Sequence, residues 1–213
     1  TSAVGGNNSG HGINASSSTV TVTESTVQNN TQAGINASSS TVTVTESTVQ
    51  NNSHSGLALL NSGFAITNCI IALNGLTSGS FGVDTFSNTD GLTKHFSHNT
   101  VASNGGGGMS CAGSESATTV HSSLFWNPDT LELSGCLSAS TSDIPGFQDA
   151  CANSEMPPDF VNPRPPNPDF HLQPTSACKD KVPCDPQVQT DIDGDERPQP
   201  VGGLCDVGAD EVR

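Results

Sequence analysis

The stretch Gly12–Ala33, GINASSSTVTVTESTVQNNTQA, is followed at once by Gly34–Ser55, GINASSSTVTVTESTVQNNSHS, which differs only in its last three positions. Repetition at a fixed period of 22 residues marks a solenoid, in which one unit buries too little apolar surface to fold alone and relies on stacking. Inside the unit, Thr19-Val20-Thr21-Val22-Thr23 alternates with period two, and only an extended strand turns that pattern into one inner and one outer face. Val20 and Val22 are therefore expected to point inward, and Thr19, Thr21 and Thr23 outward. A Gly-Ile-Asn-Ala stretch and a Thr-Val-Gln stretch complete the unit, separated by Ser-rich and Asn-rich turns. Three short strands with corners between them make one rung of a coil.

The register extends past the two copies. Asn30, Asn52, Asn74, Asn104 and Asn127 each stand three residues after an apolar one: Val27, Val49, Ile71, Val101 and Leu124. A second column, Gly12, Gly34, Gly56, Gly82 and Gly108, is followed each time by an apolar residue, from Ile13 to Met109. The wider gap between Asn74 and Asn104 predicts a loop within Leu76 to Asp90, because a rung accepts insertions only at its corners.

Gly-Ile or Gly-Leu followed, after a Thr/Val strand, by apolar-x-x-Asn resembles the right-handed parallel β-helix repeat of the pectate-lyase-like superfamily. The closing segment, Asp191-Ile-Asp-Gly-Asp-Glu-Arg197 with Cys205-Asp-Val-Gly-Ala-Asp-Glu211, resembles the end of bacterial surface proteins of the choice-of-anchor Q type. The resemblance implies an all-β fold, a right-handed parallel β-helix of about six rungs. At about 4.8 Å per rung the rod is on the order of 30 Å long. For activity it implies little, since a fold hosts many functions.

Composition narrows the class. Only 32% of residues are hydrophobic and 4% aromatic, which on composition alone would suggest disorder, yet disordered sequence has no reason to hold Val and Asn in columns. Six basic against 21 acidic residues leave a net charge of −15, so nucleic acid and anionic membranes would be repelled. No apolar run is long enough to span a membrane. Thr1–Asn8 already resembles an Asn corner and Gly step, so further rungs are expected upstream. Asn-x-Ser/Thr sequons at Asn7, Asn14, Asn29, Asn36 and Asn51 follow from Asn-rich corners and carry little weight.

Residues 1–142 read as the coil and 143–213 as a Pro-rich, Cys-containing wrap or cap. Prolines from Pro145 to Pro168 lack the N–H that a ladder needs, so this part reads as an extended segment running back along the rod. Phe160, Phe170 and Leu172 are its expected anchors, and Asp169–Gln173 its one plausible strand. Cys69 falls in the column of Ser25 and Ser47 and is expected to be a buried thiol. Cys111, Cys136, Cys151, Cys178, Cys184 and Cys205 are disulfide candidates; six cysteines can pair in about 15 ways, and sequence does not choose. Three disulfides would place the chain in an oxidising compartment, extracellular or at the cell surface. A zinc site using Cys178 and Cys184, with His171 nearby, is the rival use.

Several constellations are candidates for chemistry. Glu24, Glu46, Asn68, His98 and His121 stand six residues before each Asn and would form a lateral column able to contact successive sugars, or simply a solvated strand end. Lys94, His98 and His121 are the best acid/base cluster for a polysaccharide lyase or hydrolase. Thr19, Thr21 and Thr23 over Thr41, Thr43 and Thr45 form a small outward lattice, or are simply good strand formers. Asp191, Asp193 and Asp195 alternate like the start of a calcium loop, but Gly194 and Glu196 do not match the EF-hand pattern. The alternative is a structural knot in which Arg197 pairs with Asp206, Asp210 or Glu211. Calcium is thus the cofactor these aspartates suggest.

The reading that best joins these features is a structural or adhesive surface protein, whose partners would be carbohydrate, other surface proteins or its own copies end to end. A carbohydrate-active enzyme working on the lateral face is the alternative.

Overall fold

The computed structural model describes residues 2–3, 5–87, 91–113, 118–136, 138–140, 142–144, 148–151 and 158–213. The chain coils through about five turns of a parallel β-solenoid with three faces. The first face stacks Ile13–Ser16, Ile35–Ser38, Leu57–Leu60, Val83–Ser87, Gly107–Gly113 and Leu131–Ser134. The second stacks Thr19–Thr23, Thr41–Thr45, Gly63–Thr67, Lys94–Ser97, Thr119–His121 and Ser138–Ser140. The third runs from Ser2–Ala3 through Ser25–Gln28, Thr48–Gln50, Ile70–Ala72, Thr100–Ala102 and Leu124–Trp126 to Asp143–Ile144, and Gln148–Asp149 closes it antiparallel.

The register follows the columns: Val20 pairs with Val42 and Val42 with Phe64, while Val27 pairs with Val49 and Val49 with Ile71. Val22, Val42, Val44, Ile66, Phe96 and Val120 are buried, whereas Val20, on the first described rung, is half-buried. Alternation puts every second side chain inside, so a narrow core needs only a few apolar residues per rung.

The Asn column is a continuous interior ladder. Asn30 donates through Nδ2 to Asn52 Oδ1 at 2.8 Å, Asn52 to Asn74 at 2.9 Å, and Asn74 to Asn104 and Asn104 to Asn127 at 3.1 Å each. Each Oδ1 also accepts the backbone N–H of the preceding Asn, so the corner's otherwise orphaned amides are satisfied. At the end, Glu132 takes the N–H and Nδ2 of Asn127 on its two oxygens, both at 2.6 Å. Burial pushes the Glu132 carboxyl above its ordinary range, against the hydrogen bonds from Asn127 that favour its charge. The Gly column belongs to the same device. A Cβ on Gly34 would lie 2.7 Å from Asn52 Nδ2 and 2.8 Å from Val49 Cγ1, so the ladder leaves room only for glycine.

The other corners use hydroxyls in the same way. Ser18 and Ser40 donate their N–H to Ser40 and Ser62 Oγ, and Ser25 to Ser47 Oγ. Cys69, Asn99 and Ser123 continue that last column, donating to Asn99, Ser123 and Ser142. Cys69 is free and buried, and its burial pushes the thiol up to about 12.

The expected single loop within Leu76 to Asp90 is instead two insertions. Asn74 to Gly82 spans eight positions where Asn52 to Gly56 spans four, and Val83 to Lys94 spans eleven where Leu57 to Phe64 spans seven. Residues 88–90, in the second of these, lie outside the described residues.

The six candidate cysteines join as neighbours along the chain: Cys111–Cys136, Cys151–Cys178 and Cys184–Cys205. The zinc reading of Cys178 and Cys184 is overturned, since neither has a thiolate left to offer. Beyond residue 158 the tail holds one antiparallel strand pair, Phe160–Asn162 with Asp169–Leu172, and isolated antiparallel bridges between Val182 and Cys205 and between Thr190 and Glu196. Phe160, Phe170 and Leu172 are buried in a second core with Ile70, Ala72, Leu73, Ala102 and Leu124 from the outside of the third face. Phe160 and Phe170 meet edge to face, ring centroids 5.3 Å apart.

Candidate functional site

The bend between the second and third faces carries the column read as a binding site. Glu24, Glu46, Asn68 and His98 occupy it with φ of 45°, 47°, 52° and 51°. This is the left-handed region, which Asn and His adopt more readily than most residues. The fifth occupant is Ser122, φ 45°, and not His121, which ends its strand in register with Ser97. Counting back from Asn127 misplaces the residue because the last rung is one position shorter between bend and Asn.

The tail covers most of this column. Thr190 Oγ1 donates to Glu46 Oε1 at 2.7 Å, and its carbonyl accepts from Asn68 Nδ2. Gly208 N–H donates to the Ser122 carbonyl at 3.0 Å, and Ala209 N–H to Thr100 Oγ1 at 3.0 Å. Glu24 alone stays exposed. His98 is 1% exposed, and both its ring nitrogens are buried without a hydrogen-bond partner. Burial, reinforced by the positive charge of Arg197, pushes the His98 pKa down to about 3, so the ring is neutral.

The acid/base trio splits. Lys94 lies in register with Phe64, a core position, so alternation leaves His95 rather than Lys94 on the face shared with Ser97 and His121. His95, His98 and His121 line one side of a hollow of about 340 Å³, and Pro183, Cys184 and Asp185 the other. His95 Nε2 lies 2.8 Å from Ser97 Oγ, and burial with the nearby His95 lowers the His121 pKa. The tail therefore supplies the facing wall. His95 is missed from sequence because Lys94, the only Lys or Arg before Arg164, draws attention as the base.

The alternating aspartates do not converge. Asp191 Oδ1 accepts the N–H groups of Asp193 and Asp195 at 2.9 and 2.8 Å, and its Oδ2 accepts Glu211 N–H at 3.1 Å. Asp195 pairs with Arg213, and Asp193 Oδ2 faces His171. The oxygens of Asp191 thus hold a turn. The knot forms: Arg197 Nη1 lies 2.9 Å from Glu211 Oε2, with both side chains wholly buried. Nη2 donates to the Gly208 carbonyl at 2.9 Å. Burial raises the pKa of Asp206 to about 6 even though two backbone N–H groups favour its charge.

Beside the knot, a hollow of about 370 Å³ is lined by Glu24, Glu46, Thr48, His171, Ile192 and Asp193. On the opposite side of the coil, Leu60 and Phe86, 44% and 42% exposed and adjacent in register, border a shallower hollow of about 230 Å³ with Asn36 and Asp84. The Thr lattice is in register, and Thr45 Oγ1 donates to Thr23 Oγ1 at 3.1 Å, but the next strand begins with Gly63 and Ala65.

Among the described residues, no helix is long and apolar enough to cross a membrane. No curated protein and no solved structure matches the chain. A family model described as the right handed beta helix region matches residues 2–125. With more than half its length in that match, and a parallel coil of stacked rungs beneath it, the chain belongs to the right-handed β-helix family.

Proposed function

We propose that the chain is a structural or adhesive protein of the cell surface or extracellular space, with residues 1–142 as a rigid acidic rod and 143–213 as its cap. The observation that carries this reading is the closure of the lateral column: Glu46, Asn68 and His98, where a long substrate would lie, are occupied by the protein's own tail. The hollow with Leu60 and Phe86 pairs an apolar floor with Asn36 and Asp84, the combination that lets a ring stack on a sugar face while polar groups take its hydroxyls. Three disulfides suit an oxidising compartment, and the resemblance of the closing motif to choice-of-anchor Q surface proteins points the same way.

The test is co-sedimentation with a panel of insoluble polysaccharides, alongside release of unsaturated sugars from soluble ones. Retention that drops at least tenfold in Phe86→Ala, without product release, supports the reading. Product release lost in His121→Ala would favour instead a lyase or hydrolase at the His95/His98/His121 hollow, the runner-up that this cluster motivates.

A further inference from the structure

Three groups of potential ligand atoms converge to within 4.8 Å among the described residues. In the first, Asp143 with Cys151 and Cys178, both cysteines are committed to one disulfide. In the second, Asp180 with Asp206 and Glu211, the Glu211 carboxylate is committed to Arg197. The third, His171 with Asp193 and Asp210, is not committed in this way.

His171 lies on the tail hairpin and points Nδ1 at Asp169 Oδ1. A carboxylate only accepts, so Nδ1 carries the proton. Burial lowers the pKa of the ring, but the Asp169 hydrogen bond and the charges of Asp210 and Asp193 raise it overall. In the neutral form that a metal ion requires, the lone pair of Nε2 turns the other way. That is how a metal-binding imidazole is usually held, its second nitrogen donating to a carboxylate that fixes tautomer and orientation. Nε2 is buried and has no hydrogen-bond partner, although Asp193 Oδ2 is only 3.2 Å away. The two atoms are close but not aimed at each other. Neighbouring ligands on a tetrahedral ion at about 2.0–2.1 Å stand in that relation, roughly 3.3 Å apart with both lone pairs directed at a point between them. Asp210 is 7% exposed and is held by the Leu172 N–H, which donates to its Oδ2 at 2.7 Å. Asp193 projects from the turn that Asp191 organises.

We propose that His171 Nε2, Asp193 and Asp210 form a site for a divalent transition-metal ion of the zinc class. One imidazole and two carboxylates suit zinc better than calcium, which prefers oxygen donors throughout, and three protein ligands leave a position open. The neighbouring hollow, with Glu24 and Glu46 on its walls, is lined by His171 and Asp193 as well. The ion would tie together the hairpin, the Asp191–Asp195 turn and the C-terminal segment.

The experiment is equilibrium Zn2+ binding to the chelator-stripped full chain, read by competition with a chromophoric chelator, with Ca2+ as comparison. Wild type is expected to take up one equivalent of Zn2+ with micromolar or tighter affinity, weakening as pH falls because the ion competes with the proton on Nε2. His171→Ala and Asp193→Ala should each lose at least tenfold in affinity. Asp169→Asn, which leaves all three ligands in place, should lose about tenfold to a hundredfold. Asp193 is largely exposed, with 62% of its side chain accessible, so its variant folds and the comparison stays decisive. Affinity unchanged in these variants would put bound zinc elsewhere and overturn the proposal. So would no uptake by wild type at 100-fold molar excess, or Ca2+ binding as tightly as Zn2+ and surviving in His171→Ala.

Discussion

The coil and the tail solve the same problem by different means. In the coil, each polar group inside the corner meets its own equivalent one rung away, so the Asn30-to-Asn127 ladder satisfies itself by repetition. In the tail nothing repeats, and unique contacts take over: two disulfides, a buried Arg197–Glu211 pair and Asp191 gathering three N–H groups. Damage should therefore be shared along neighbouring rungs in the coil, whereas in the tail one broken contact should release a whole segment.

The largest effect is expected where a buried charge loses its partner. Arg197→Met should cost about 3–5 kcal/mol in denaturant unfolding, since Glu211 would stay buried and unpaired. It should also free residues beyond 158 to proteolysis while the coil keeps its β circular dichroism. A loss shared equally by tail and coil would erase the contrast between the regions. Next comes the Cys184–Cys205 bridge: the double change to Ser should cost about 3 kcal/mol for a loop of its length, again read by tail proteolysis.

In the coil, Asn74→Ala removes both an acceptor and a donor from the ladder, and should cost about 2–4 kcal/mol through the orphaned groups of Asn52 and Asn104. The outer pair Asn14–Asn36 is also hydrogen-bonded, at 2.8 Å, but exposed; Asn36→Ala should change stability by less than about 0.5 kcal/mol. Equal costs would mean that burial does not decide.

The remaining effect is a slope, spread over pH rather than read at one condition. His98 stays neutral in the folded protein down to about pH 3, while the unfolded chain takes up its proton near 6.5. The unfolded state thus binds more protons between those values, and stability drains as pH falls through that window, by at most about 1.4 kcal/mol per pH unit. His98→Asn, which copies Asn68 at the same bend one rung earlier, should flatten the curve of unfolding midpoint against pH between 6.5 and 4. An identical curve would place the acid sensitivity elsewhere.

The coil was legible in the sequence because its geometry is periodic: Val, Asn and Gly recur where the backbone recurs, and Cys69 sits where Ser25 and Ser47 sit. His121 was misread for Ser122 because one position dropped out of the last rung. The covering of the third face left a signal that went unread. Its outward positions are Thr26, Gln28, Thr48 and Gln50 on the early rungs, but Ile70, Ala72, Ala102 and Leu124 on the later ones, where alternation gives way to apolar runs. Arg197 is expected from sequence to meet Asp206, Asp210 or Glu211, and only the folded tail selects Glu211. The meeting of His171 with Asp193 and Asp210 left no trace in spacing, because disulfides and turns rather than a period bring those residues together.

Glu132 gives the rod a sense of direction. An asparagine amide both gives and takes, so each can hand the pattern to the next; a carboxylate only takes, and the relay halts where it stands. The two ends of the ladder are therefore chemically unlike: at one the amide oxygen of Asn30 accepts the Asn8 N–H, and at the other Glu132 receives the last donors. Growth by stacking, wherever it occurs, has a single arrow.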